Sequence, residues 1–401
     1  MSASFYDLIK YAKTGISSDG MTDFDQMKAI ALCGAGGIPI STITGVPPIT
    51  FTADGTPLTS WQIVGNMTQT GTPTPDAPIM PQECGDPTPN LCDVSNGNKL
   101  TYNASYDNYV IDDDEQTVTT SGNALVGFIV PVDASTTYTV YAKSTEYGML
   151  RIREYSDKPS SWSGAEYIQQ SINAETNYAY NFTATSTTKY VVVAFYFESS
   201  HSGAEISEIM LNAGGTPLDY VPYGYALDIS CGGVTKTIYL REPLRKIGDY
   251  ADTISSDGTV TRNIVKIDLA ELTWGFITSS SYAVFWANYT SQLRENIKGI
   301  SNAFDVAVVG SFSSLPDLCM RVYEGTASQQ RLAIRYDALG GDTSALRAFL
   351  KTGAWLWAVL ETPTAETVTV PTITPDKGSN TLSIGTVLPP SNVSLTGHIK
   401  Q

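Results

Sequence analysis

From residue 46 onward, apolar and polar positions alternate with a period of two, in runs interrupted by Gly, Pro, Asn and Asp. Such runs predict strands at 49–53 and 58–65, then at Ala124–Val132, Thr137–Ala142, Met149–Tyr155, Tyr178–Thr183, Tyr190–Phe197 and Ile209–Asn212. After Gly224 the pattern restarts, with Ala226–Ile229, Val234–Leu240, Thr259–Leu269, Ala283–Trp286, Phe304–Val309, Leu318–Tyr323 and Leu332–Tyr336. One capped helix, Ser344–Leu350, precedes Ala354–Leu360, and Thr367–Val370, Asn380–Ile384 and Val393–Leu395 close the series. With no long helix between strands, the expected class is mainly β: two antiparallel β-sandwich, jelly-roll-like domains at 94–224 and 225–401.

Residues 1–45 read differently. Phe5, Leu8, Ile9 and Ala12 recur at helical spacing, and Thr22–Asp25 resembles a capping box ahead of Phe24, Met27, Ile30 and Ala31. Two short amphipathic helices follow, which need a partner surface to bury their apolar faces. Between this arm and the first sandwich, 46–93 carries two short strands and then Pro73, Pro75, Pro78 and Pro81, which predict an extended, stiff connector over 71–82.

Composition supports the β reading and narrows function. Charged residues are only 16% of 401, against an abundance of Gly and Tyr suited to strands and turns. The formal charge of −16 repels nucleic acid and anionic membranes, so neither is expected as a partner. No run approaches the roughly 20 apolar residues of a membrane span, and MSASFYDLIKYAKTG lacks a signal-peptide core, so synthesis and assembly in a bacterial cytoplasm are expected. The five cysteines are scattered without a CxxC pair and read as buried or idle thiols.

Four stretches bear on family: WQIVGNMTQTGTPTPDAPIMPQECGD at 61–86 leading into NLCD; MLNAGGTPLDYVPYG at 210–224; TKTIYLREPLRKIGDYADTISSDGTVTRNI at 235–264; and VLETPTAETVTVPTITPDKGSNTLSI at 359–384. Together they resemble modular tail proteins of phages and prophages of Gram-positive bacteria, the upper baseplate, tail-fibre and receptor-binding proteins. The resemblance implies a non-enzymatic virion protein, a homotrimer bound to other tail or baseplate proteins by its N-terminus. Its sandwiches would face host cell-wall polysaccharide. It brings no catalytic motif and no cofactor.

Candidate chemistry is sparse. Two histidines, His201 and His398, and the lack of a G-x-S-x-G elbow, H-E-x-x-H or P-loop disfavour nucleophilic hydrolysis. Asp112–Glu115 is the densest acidic run but lacks the D-x-D-x-D-G spacing of a calcium loop, so no metal is assigned. Sugar binding favours exposed aromatic platforms with polar neighbours. Tyr147, Tyr155, Trp162 and Tyr167 surround SDKPSSWSGAEY, where Trp162 lies between two serines; with His201 and Glu198 they form the candidate glycan site. A loop Trp covering a sheet or a subunit interface is the competing reading. Trp274, Trp286, Trp355 and Trp357 sit in apolar runs and are expected in the core. Two alternatives accompany the adhesive reading: a polysaccharide depolymerase using Glu198, Glu205 or Glu208, and a purely architectural tail component.

Overall fold

The computed structural model describes residues 40–112, 116–162, 167–174, 176–279, 282–289, 293–294, 297–308, 314–324 and 330–401. The helical arm predicted within 1–45 therefore lies largely outside the described residues, as does most of the acidic run Asp112–Glu115. At the end of that N-terminal stretch, Ile40–Gly45 is a strand paired with 393–398.

The molecule is mainly β and its chain divides into two compact units. Among the described residues, the second comprises those of Asp86–Ala226 and Tyr239–Glu242, and the first those from Ile40 to Gly85, Leu227–Ile238 and Pro243–Gln401. This division differs from boundaries at 93 and 224 followed by a separate C-terminal domain. Residues 46–85 belong with the C-terminal half because their strands Ile49–Asp54 and Ser60–Val64 are hydrogen-bonded into its sheet.

In the second unit, the described strands form a nine-stranded antiparallel sheet. Its longest member, Val118–Pro131, changes partners along its length. Residues 118–124 pair with Asp107–Ile111, and 118–119 also with Glu205–Ile206. Residues 124–131 pair with Tyr190–Phe197, and 126–128 also with Lys99–Thr101. The sheet thus bends into two leaves. One holds Tyr167–Ile172, Gly148–Tyr155, Tyr190–Phe197 and the distal half of Val118–Pro131. The other holds its proximal half with Glu205–Ala213, Thr137–Ser144 and Thr176–Thr183. Phe128, Leu150, Ile152, Val193 and Phe195 from the first leaf pack in one buried cluster with Tyr138, Val140, Ile206 and Leu211 from the second.

The motifs that carry the family resemblance close this unit. Asn90 is buried, its amide donating to Ile209 O and Val221 O at 3.0 Å each while its carbonyl accepts from Cys92 N and Leu211 N. Thr88 bonds Gly224 O through its N–H and Pro222 O through its hydroxyl. Gly224 has φ +127°, and a Cβ there would sit 2.1 Å from Leu240 O, so only glycine fits.

In the first unit, antiparallel strands run in the order 234–240, 225–231, 377–385, 49–54, 392–400, 60–64, 253–255, 259–268, 355–367 and 300–301. A five-stranded sheet (274–279, 282–289, 330–335, 319–324, 305–306) and the helix Thr343–Leu350 share a core of Trp274, Phe285, Phe304, Leu346, Leu350 and Leu356. The helix begins where Asp342 accepts from Ser344 N and Ala345 N.

The Pro-rich run is not the extended spacer its composition suggests. Pro73 and Pro75 are buried, Thr74 and Ala77 exchange backbone hydrogen bonds across a turn, and Ile79 N donates to Asn302 O at 2.7 Å. Proline restricts φ but says nothing about what lies beside it. Gln69 fastens the same segment by donating to Ile79 O and Ser301 O.

A buried ionic cluster joins PQECG (81–85) to LREPLRKIGDYAD (240–252). Arg245, 2% exposed, hydrogen-bonds Glu83, which also accepts from Trp357 Nε1 at 2.8 Å. Asp252 is fully buried and accepts from the N–H groups of Arg245, Asn263 and Ile264. Arg262 Nη1 stands 3.6 Å from Asp252 and donates to Pro243 O, while Nη2 bonds Glu366 at 2.7 Å. Cys84 and Leu244 exchange backbone bonds, and Gly65 lets this ladder approach: a Cβ there would lie 2.6 Å from Leu244 C.

Candidate functional site

Alternation within the first leaf of the second unit sets out its two faces. Leu150 and Ile152, Val191, Val193 and Phe195, and Val126, Phe128 and Val130 point into the core. Their neighbours Arg151, Arg153 and Tyr155, Val192, Ala194 and Tyr196, and Leu125, Gly127 and Ile129 therefore face outward. The outward face is itself apolar, which accounts for the unbroken run NALVGFIV.

Trp162 covers that face. It is 7% exposed and packs with Leu100, Leu125, Ile129, Val192 and Ala194. Its Nε1 donates to Leu100 O at 3.0 Å, and Arg153 Nη1 donates to its carbonyl at 2.5 Å. Gly127 makes the space: a Cβ there would lie 2.8 Å from the indole. Trp162 is thus a cover for the sheet, the reading weighed against an exposed glycan platform, and the apolar surface it seals comes from strands remote in sequence.

The six candidate residues separate into two groups. Tyr155 packs beside Trp162, and Tyr167 opens the strand Tyr167–Ile172 opposite Arg153. Tyr147, His201 and Glu198 lie at the other end of Gly148–Tyr155, roughly 25 Å away at ~3.3 Å per residue. There Tyr147 is 43% exposed, its ring 6.2 Å from that of His201, and its hydroxyl is 3.1 Å from Ser171 Oγ. His201 Nδ1 lies 3.4 Å from Glu146 Oε2, and Glu198 O accepts from His201 N at the start of a 3-10 turn. Burial pushes the Tyr155 phenol above its usual range.

A strip of residues outside the predicted set links the two ends. Tyr102 is 47% exposed and meets Trp162 edge-on at 6.0 Å and Tyr106 at 5.3 Å. Tyr106 reaches Tyr196 at 6.1 Å, and the Arg151 guanidinium lies over the Tyr196 ring at 4.4 Å. Asn103 holds the Tyr102–Tyr106 turn by accepting from Ser105 N, and Asn108 pins it through Ser105 O and Asn123 O. Beyond Arg151, Gln169 occupies the facing position on the next strand and is exposed. Burial raises the Tyr196 phenol, with Glu198 and Tyr106 adding and Arg151 opposing, so it is a neutral hydrogen-bonding group near pH 7. Two signals in the sequence pointed here: the tyrosines flanking the N-A-S turn, and arginines alternating with Leu150 and Ile152 in GMLRIREY.

Of the acids weighed for hydrolysis, Glu208 is committed to Tyr141 (3.2 Å) and Lys143 (3.7 Å), on the other leaf. Glu205 opens the strand Glu205–Ala213, opposite Thr119. Among the described residues no three His, Cys, Asp or Glu side chains gather as metal ligands, and Cys84, Cys92, Cys231 and Cys319 are buried and outside any disulfide.

No family model and no curated protein matches the chain. Among solved structures it is similar to a crystal structure of tripeptidyl peptidase 2 (TPP II), with 9% identity over 77% of this chain and a TM-score of 0.20. The match spans only 28% of that peptidase, and a likeness at that score carries no argument about fold or activity.

Proposed function

We propose that the chain is a structural protein of a bacteriophage tail tip, baseplate or tail fibre, residing in the virion, attached to other tail proteins through its N-terminal region as a homotrimer. We read the second unit as a jelly-roll-like β-sandwich that contacts host-surface glycans, and the first as a second β-rich module. The observation that carries this reading is that the stretches resembling phage tail proteins interlock. PQECG meets LREPLRKIGDYAD through Glu83, Arg245, Cys84 and Leu244, and PTPNLCD meets VPYG through Thr88 and Asn90. The resemblance thus follows packed three-dimensional motifs, not isolated strings.

Glycan contact rests on the strip Tyr102, Tyr106, Tyr196 and Arg151. Aromatic faces and edges beside fixed polar groups suit a pyranose ring. Particles purified from the bacterium that encodes the chain should contain it by mass spectrometry; its absence from intact tails would overturn the virion reading. Retention on isolated host cell wall should fall for Tyr102→Ala and Tyr196→Ala relative to the native protein. Equal retention of all three would leave an architectural role only.

A further inference from the structure

The outward face of the second unit contains an arginine with an unsatisfied hydrogen-bond donor. Arg151 lies over Tyr196, but its Nε is buried without a hydrogen-bond partner, and among the described residues no carboxylate pairs with it. The neighbouring Arg153 is committed to the Trp162 carbonyl. In a chain of charge −16, an arginine half-buried on an aromatic ring without an acid is not a device for solubility. With its Cζ 4.4 Å from the Tyr196 ring centroid and no ion-pair partner among the described residues, the guanidinium keeps N–H groups for an outside acceptor, and a guanidinium recognises carboxylate or phosphate oxygens bidentately.

We propose that this strip takes an acidic saccharide chain, one bearing carboxylate or phosphate groups, with Arg151 on the anion and Tyr102, Tyr106 and Gln169 along the sugar backbone. The inference rests on the glycan reading above and specifies its substrate class. Arg151 acts here as an anion-binding residue and Tyr196 as the platform that fixes it. Glu198, two residues beyond Tyr196 at the strand end, opposes an anion and limits affinity.

The test compares the full-length native protein with Arg151→Gln, Arg151→Lys and Glu198→Gln against three probes: polygalacturonate, a polyglycerol-phosphate teichoic acid and neutral dextran. Binding is measured calorimetrically at low and high salt. The native protein should bind at least one acidic chain, lose affinity as salt rises, and prefer it to dextran. Arg151→Gln should lose about tenfold or more on the acidic chain alone. Arg151→Lys should recover only part of that loss, and Glu198→Gln should bind more tightly. The polyuronate and teichoic arms separate carboxylate from phosphate as the source of the anion. Binding to dextran as tight as to either acidic chain, with no salt dependence, overturns this inference and leaves the glycan reading standing. Binding to none of these probes and none to isolated host wall overturns the glycan reading itself. Should Arg151→Gln fail to fold, the salt dependence and probe preference of the native protein decide alone.

Discussion

Two arginines of this chain sit in opposite situations. Arg245 in the first unit is 2% exposed and enclosed by Glu83, with Asp252 bonded to its backbone N–H. Arg151 in the second lies on an outward sheet face over Tyr196, with no carboxylate in ion-pair contact among the described residues. Arg245 belongs to a stretch distinctive enough to suggest a family; Arg151 belongs to an ordinary alternating strand. The contrast teaches that a memorable string can mark a packing constraint. A buried charge cluster tolerates few substitutions, because removing one member strands the others in low dielectric. An outward residue answers only to its ligand, and leaves no such imprint on the residues around it.

The sharpest way to break this comparison is to remove the enclosed charge. Arg245→Ala leaves Glu83 buried beside Trp357 without its cation, and a loss of about 3–5 kcal/mol is expected. Urea denaturation of the full chain, followed by tryptophan fluorescence, should show the transition that reports Trp357 moved to much lower denaturant. A change under about 1 kcal/mol would mean that the cluster is dispensable. Next comes Trp162→Ala. Truncating a nearly buried Trp over Gly127, Val192 and Ala194 should cost about 3 kcal/mol. If Trp162 were instead a free platform, stability would hardly move and only binding would suffer.

Much of the fold was legible because a period of two is imposed by the backbone itself. Tyr190–Phe197 was read to the residue, and Met149–Tyr155 and Thr137–Ala142 to within two residues at each end. The helix after Asp342 was legible from its cap. The site was less so. The burial of Trp162 depends on the absent side chain of Gly127, and the fit of Pro73 and Pro75 depends on strands and turns far along the chain. Sequence reports what each residue prefers locally, whereas these positions are decided by partners that only folding supplies. The same holds for Arg151: its charge is visible, but its seat on Tyr196 is not.

An intermediate case sharpens the scale. Asp337 accepts from Arg335 at both carboxylate oxygens, at 2.6 to 3.1 Å, and from Ala283 N at 2.8 Å, with both side chains partly exposed. Those bonds from Arg335, more than its charge, hold the Asp337 carboxyl below the usual range. A depressed folded-state pKa contributes stability above the unfolded value, near 3.9, and that contribution is lost as pH falls through the folded value. After a solvent discount about 1 kcal/mol is expected. In the native protein the stability of the first unit should fall below about pH 4, and in Asp337→Asn that part of the fall should vanish. An identical acid profile for both would place the pair's contribution at zero.

Arg151→Gln should have the smallest effect on stability and the most selective effect on function. No ion pair is broken and the aliphatic stem can still cover Tyr196, so the melting midpoint should shift by under about 0.5 kcal/mol equivalent. A loss of about 2 kcal/mol would show that Arg151 is a structural cation whose partner is the Tyr196 ring, since a desolvated cation–π contact reaches about that much. Intact stability with lost retention of acidic polysaccharide would separate the two arginines completely. The enclosed one would then be spent on folding, and the outward one kept unpaired for an anion from outside.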